Sequence, residues 1–107
     1  FWASWCGPCM REVPYLVETY KNYHKKGFEI FGVSFDRTKE AWVKAIEEKK
    51  LVWPHVSSVN YWDNQARHDY AVNSIPANFL VDCSTGEIIA TALRGEELQA
   101  KIAELLK

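Results

Sequence analysis

Between about Pro8 and Lys25, Val13, Leu16, Val17, Tyr20 and His24 recur at i, i+3, i+4, i+7 and i+11 spacing, which predicts a helix with one buried face. Lys25 and Lys26 suit the negative end of that helix and Gly27 its stop, whereas Pro14 falls inside it and should kink it. Phe28–Phe35 is apolar on both alternating faces, the pattern of an interior, parallel strand covered on both sides. Asp36 or Thr38 can cap a following helix over Lys39–Lys50, whose inner face would be Trp42, Val43 and Ile46 and whose charged end, Glu47–Lys50, would be solvated. Leu51–Ser58 predicts a short strand after Pro54, and Asp63–Ala71 a short helix with Ala66 and Tyr70 facing in. Ala77–Asp82 and Glu87–Ala92 read as strands joined by Cys83-Ser84-Thr85-Gly86, with Gly86 supplying a positive φ. Glu96–Leu106 closes the chain as a helix burying Leu98, Ile102 and Leu105. Helical and strand patterns thus alternate without a repeat or a linker, which is the pattern of an α/β domain.

Composition narrows this picture. A chain of 107 residues with 48% hydrophobic and 25% charged residues fits one globular domain. The formal net charge is −1 and basic residues alternate with acids, which argues against a nucleic-acid or acidic-membrane partner. No apolar run reaches the length of a membrane span. The chain opens on Phe1 rather than Met, so the expectation is a fragment whose full protein continues upstream, where any anchor would lie.

The candidate chemistry lies in Trp5-Cys6-Gly7-Pro8-Cys9. A thiol at the first turn of a helix meets unpaired backbone N–H groups and the positive end of the dipole, and both favour thiolate. Cys6 falls there, and Cys9 lies one turn on, within reach for a disulfide. Pro8 suits a helix opening, and Gly7 lets a partner's backbone approach the sulfur. Such a pair can be a cycling dithiol, an inert disulfide or half of a metal site. A closed zinc site needs about four ligands, usually as two short-spaced pairs. Beyond the pair the chain offers only Cys83, His24, His55 and His68, scattered singly, so neither a metal nor another cofactor is expected.

With FWASWCGPC at 1–9, MREVP at 10–14, LVWP at 51–54, SIPANFLVD at 74–82 and the hairpin arm from Gly86, the chain resembles the thioredoxin superfamily. Within it, the chain is most similar to the TlpA/ResA type of thiol–disulfide oxidoreductase. The resemblance implies a thioredoxin-like α/β fold, a central mixed sheet flanked by helices, over a single domain at 1–107. It implies that Cys6 is the exposed attacking cysteine and Cys9 the buried resolving one. Pro76 matches the family's cis proline, which turns the backbone of Ile75 outward for a substrate strand. Glu12, one turn beyond Cys9, matches an acid that relatives place near the pair, where it would shuttle the Cys9 proton if buried and stand idle if exposed. Trp5 is expected to shield one side of the dithiol and to form a docking surface with Gly7 and Pro8. Trp2, Trp42, Trp53 and Trp62 are expected to pack in the core or at its rim, Cys83 to be a free surface thiol, and the three histidines to have no role.

The implied activity is reduction of protein disulfides through a Cys6/Cys9 cycle in the periplasm or cell envelope, with an upstream electron donor. The alternatives are a disulfide oxidase or isomerase, a thiol peroxidase, and a non-enzymatic redox-sensing or docking module. Peroxidases of this fold place a threonine three residues before the attacking cysteine, where this chain has Ala3. In the family the strand leading into the dithiol is central, yet only its last residues, about Phe1–Ala3, stand here. The expectation is a weakly stable monomer, or an oligomer that completes its sheet by exchanging strands.

Overall fold

The structure, a computed structural model, describes residues 1–57, 59, 63, 65–70 and 72–106. Two two-stranded sheets form its frame. Strand β1 (Gly32–Ser34) pairs parallel with β2 (His55–Ser57), and β3 (Phe79–Asp82) pairs antiparallel with β4 (Glu87–Thr91). Residues 1–3 lie between these sheets. On one side the Trp2 N–H donates to the Val33 carbonyl at 3.0 Å and the Phe35 N–H to the Trp2 carbonyl at 2.9 Å, a parallel bridge of Trp2 to Ser34. On the other, the Phe1 amino group donates to the Ala77 carbonyl at 2.8 Å and the Ala77 N–H to the Phe1 carbonyl at 3.3 Å. This is where the resemblance sets the end of a central strand.

Among the described residues, four α-helices pack on this frame. Helix α1 (Gly7–Tyr23) runs on through Pro14, which is exposed, and passes into a 3₁₀ turn (His24–Lys26) stopped by Gly27 at φ 104°. Helix α2 spans Lys39–Lys49, and Thr38 rather than Asp36 caps it, its hydroxyl accepting from the Ala41 N–H at 3.3 Å. Helix α3 covers Gln65–Asp69 and α4 Gly95–Leu105. On α1, Val13 faces a cluster with Leu51 and Trp53, while Leu16 and Tyr20 also reach Phe28, Leu93, Leu98 and Ile102.

Several inward positions differ from the helical stripes. His24 is exposed because the 3₁₀ turn rotates it off the α1 stripe, although it still stacks on Tyr20 at 4.4 Å. On α2, Val43 is exposed and the small Ala45 is buried instead. Tyr70 and Leu105 stand near helix ends and are exposed, Tyr70 keeping ring contacts with Phe1 and Phe79. The expected helix end at Ala71, the strand end at Ser58, and Trp62 lie outside the described residues.

The strand expected over Phe28–Phe35 is a ladder only at Gly32–Ser34, where β2 flanks it on one side and Trp2 on the other. Upstream of that stretch Phe31 is 63% exposed. Between the two sheets lies a cavity of about 370 Å³, walled by Ile30, Val33, Phe79 and Leu80 and by Val13 and Leu16 of α1.

Gly32 permits one close approach in this wall. A Cβ there would stand 2.5 Å from Nδ1 of His55, whose ring sits between Trp2 and Trp53 at centroid distances of 5.6 and 5.8 Å. The His55 Nε2–H donates to the Leu51 carbonyl at 3.0 Å, and burial nevertheless holds the imidazole below its ordinary pKa. Gly32→Ala should cost about 1–3 kcal/mol in urea unfolding, with part of the loss absent in a His55→Ala background. Because the unfolded chain takes up the His55 proton first, stability should fall as the pH drops through the ordinary histidine value of 6.5 and level off below the folded pKa. That part of the pH profile should flatten in His55→Gln.

Candidate active site

Cys6 is the N-cap of α1, with extended backbone at φ −89° and ψ 105°, and its sulfur accepts the Cys9 N–H at 3.2 Å. Gly7 and Pro8 open the helix, so the sulfur occupies the end where N–H groups lack intrahelical partners. Cys6 and Cys9 form a disulfide with Cα atoms 5.2 Å apart. A turn precedes it, closed by the Cys6 N–H donating to the Ala3 carbonyl at 3.2 Å. One expectation is corrected here, because Cys6 is only 5% exposed, scarcely more than Cys9 at 4%. The turn folds it against Ala3, Phe35 and Val72, and its sulfur is tied to Cys9. Trp5, 48% exposed, and the exposed Gly7 and Pro8 form the open rim. A Cβ on Gly7 would meet only the Arg11 side chain, at 3.7 Å, so no tight contact bars the approach of another backbone there.

The Ile75–Pro76 peptide bond is cis, as the resemblance implies. Ile75 and Ala77 pack against the cluster that holds both cysteines, and Pro76 and Cys9 line the same cavity. Three side chains fix this loop and its surroundings. An Arg94 guanidinium N–H donates to the Pro76 carbonyl at 2.9 Å. The Asn78 amide donates to the Leu93 carbonyl at 2.6 Å and accepts the Leu93 N–H at 3.1 Å. Glu12 is neither fully buried nor idle. It lines the cavity with Cys9, and its carboxylate accepts the Gly95 N–H at 2.5 Å. The N-cap of α4, Arg94, makes no side-chain cap, so Glu12 of α1 serves the free N–H at that terminus from outside the helix.

Asp36 is the residue that helical capping rules misplace. It is completely buried, and its carboxylate accepts the Ser4 N–H at 3.0 Å, the Ser4 hydroxyl, and the Ser34 hydroxyl at 2.5 Å. The available signal was polar Ser4, Ser34 and Asp36 standing within or beside stretches otherwise apolar enough to be core. Arg94 and Asn78 carried no local pattern, since their partners are distant in sequence. Cys83 is a free, exposed thiol. Among the described residues, no three His, Cys, Asp or Glu side chains converge to hold a metal ion.

The sequence model of a thioredoxin-like family matches residues 1–88. The chain is similar to the thiol-disulfide oxidoreductase ResA of Bacillus thuringiensis subsp. konkukian, 32% identical over 107 residues, covering 100% of this chain and 59% of that protein. It is also similar to ResA of Geobacillus kaustophilus, 38% identical over 88 residues, covering 82% of this chain and 48% of that protein. The chain therefore spans about half to three fifths of these curated relatives. Among solved structures, the thioredoxin domain of a thiol-disulfide oxidoreductase from Bacteroides vulgatus superposes with a TM-score of 0.91 at 38% identity, covering 100% of this chain and 76% of that one. A thiol-disulfide oxidoreductase from Bacteroides fragilis gives 0.90 at 37% identity, covering 99% and 77%.

Glu12→Ala should lower the unfolding free energy by about 1–2 kcal/mol, as loss of a cap does, and Glu12→Gln, which keeps an acceptor for Gly95, should recover most of it. Equilibrium denaturation of the two variants checks this.

Proposed function

The chain belongs to the thioredoxin-like family, and on that premise we propose that it is a thiol–disulfide oxidoreductase that reduces protein disulfides through Cys6 and Cys9. The observation that carries this reading is the Cys6 sulfur at the mouth of α1, accepting a backbone N–H and bonded to its partner one turn on. In the reduced protein that N–H and the helix terminus favour Cys6 as thiolate, the nucleophilic form. The thiolate attacks one sulfur of a substrate disulfide, a mixed disulfide forms, and the other substrate sulfur leaves as a thiolate that takes up a proton. Cys9, once deprotonated, attacks the Cys6 sulfur and releases the second substrate thiol. Two electrons have passed to the substrate, and the pair is left as the disulfide seen here. An upstream dithiol donor returns the two electrons by the reverse exchange.

Glu12, which lines the same cavity as Cys9, is assigned the Cys9 proton, in addition to its bond to Gly95. Trp5, Gly7 and Pro8 form the rim on which a substrate docks, and Ile75, next to the cis Pro76, offers its backbone to an extended substrate segment. Residues 1–107 act as one thioredoxin-like domain of a longer protein. The similarity to ResA supports a place of action in the periplasm or cell envelope, with any anchor outside this chain. No helix among the described residues is long and apolar enough to cross a membrane.

In a Cys83→Ser background, which removes the exposed third thiol, Cys6→Ser should abolish reduction of a protein disulfide. Cys9→Ser should accumulate a mixed disulfide on Cys6, visible by mass spectrometry under non-reducing conditions. Disulfide reduction that survives Cys6→Ser refutes the reading.

A further inference from the structure

The turn that delivers Cys6 is tied to one buried carboxylate. Ser4 is the second residue of the turn closed between Ala3 and Cys6, and its N–H and its hydroxyl both donate to the same oxygen of Asp36. The other oxygen accepts the Ser34 hydroxyl, and the Asp36 N–H donates back to that hydroxyl at 2.9 Å. Ser34 in turn belongs to β1, which is bridged to Trp2, so the carboxylate is fixed to the sheet and to the turn at once. Ser4, Ser34 and Asp36 are the polar members of a region whose neighbours Ala3, Phe35 and Val33 are apolar and buried.

Burying a carboxylate carries a desolvation cost that an apolar residue of similar volume avoids, so stability alone is a weak reason for one here. What a carboxylate adds is directional acceptance of a backbone N–H and a fixed negative charge. The acceptance sets the peptide plane of Ser4 and with it the course of the chain into Cys6, two residues later. The charge opposes a second anion on the Cys6 sulfur, against the pull of the helix terminus. A dithiol whose thiolate is less favoured is the weaker oxidant, because its disulfide is relatively more stable. We infer that Asp36 is a positioning residue for the dithiol: through Ser4 it holds the turn that places Cys6, and its charge keeps the Cys6/Cys9 couple more reducing than the helix terminus alone would make it. The inference rests on the thiol–disulfide activity proposed above.

The test compares Asp36→Asn, Ser4→Ala and a core control, Ile102→Val, in the full-length protein. It reads the Cys6 thiol pKa from the pH dependence of alkylation, the Cys6/Cys9 equilibrium against a glutathione buffer, and the rate of disulfide reduction. Asp36→Asn keeps an acceptor for Ser4 and removes the charge. It should lower the Cys6 pKa by about half a unit to one unit, roughly three- to tenfold in thiolate, and shift the couple toward the dithiol form by a similar factor. Ser4→Ala keeps the charge and removes a tether, so it should slow disulfide reduction several-fold with the Cys6 pKa unchanged. Ile102→Val should lower the melting temperature and leave all three readouts in place. If neither Asp36→Asn nor Ser4→Ala departs from that control, Asp36 only stabilises the fold and the inference is overturned. Should Asp36→Asn fail to fold, Ser4→Ala decides alone. Activity lost in Cys6→Ser together with unmoved Asp36→Asn and Ser4→Ala variants sinks this inference and leaves the proposed function standing.

Discussion

Four backbone hydrogen bonds hold residues 1–3 between two small sheets, and both loops of the site hang from that rung. On one side the rung continues into the turn and the dithiol. On the other it is bonded to Ala77, immediately after the cis proline. The sulfurs and the proline loop therefore take their relative position from the same three residues. Among the described residues, the two sheets do not pair with each other directly. Any shift of the rung would move the dithiol and the cis-proline loop together.

The sulfurs sit among apolar residues, and polar anchors surround them at the margins. Asp36 holds the turn before Cys6, Glu12 ties the dithiol helix to the start of α4, and Arg94 and Asn78 steady the proline segment. Each anchor is a side-chain-to-backbone bond joining segments distant in sequence, which fixes direction as well as distance. The apolar surroundings keep water from competing for the sulfur, while the helix terminus supplies the compensation that an anion there requires.

Much of this was legible in the chain. The helix from Gly7, a strand ending near Phe35, a short strand after Pro54, the hairpin at Gly86 and the closing helix all follow from periodicity and turn chemistry, which are local properties. The dithiol at a helix mouth follows from the spacing of Cys6 and Cys9 and the place of Pro8. The resemblance supplied the cis bond before Pro76, which the dipeptide alone could not. What local rules misjudged depends on tertiary partners. Asp36 looks like a helix cap until Ser4 is seen to reach it, and Thr38 then takes the cap. The spacing that sets Glu12 one turn beyond Cys9 carries no sign of its bond to Gly95, which comes from the far end of the chain. The exposed Cys6 that the resemblance implies is instead covered, because it packs in a cluster with Phe35 and Val72, which are distant in sequence.

The bond from Glu12 to the Gly95 N–H joins the second turn of α1 to the first residue of α4. Fraying that begins at the start of α4 has to break that contact before it spreads, so the dithiol end of α1 and the opening of α4 loosen as one cooperative unit rather than as two independent helix ends.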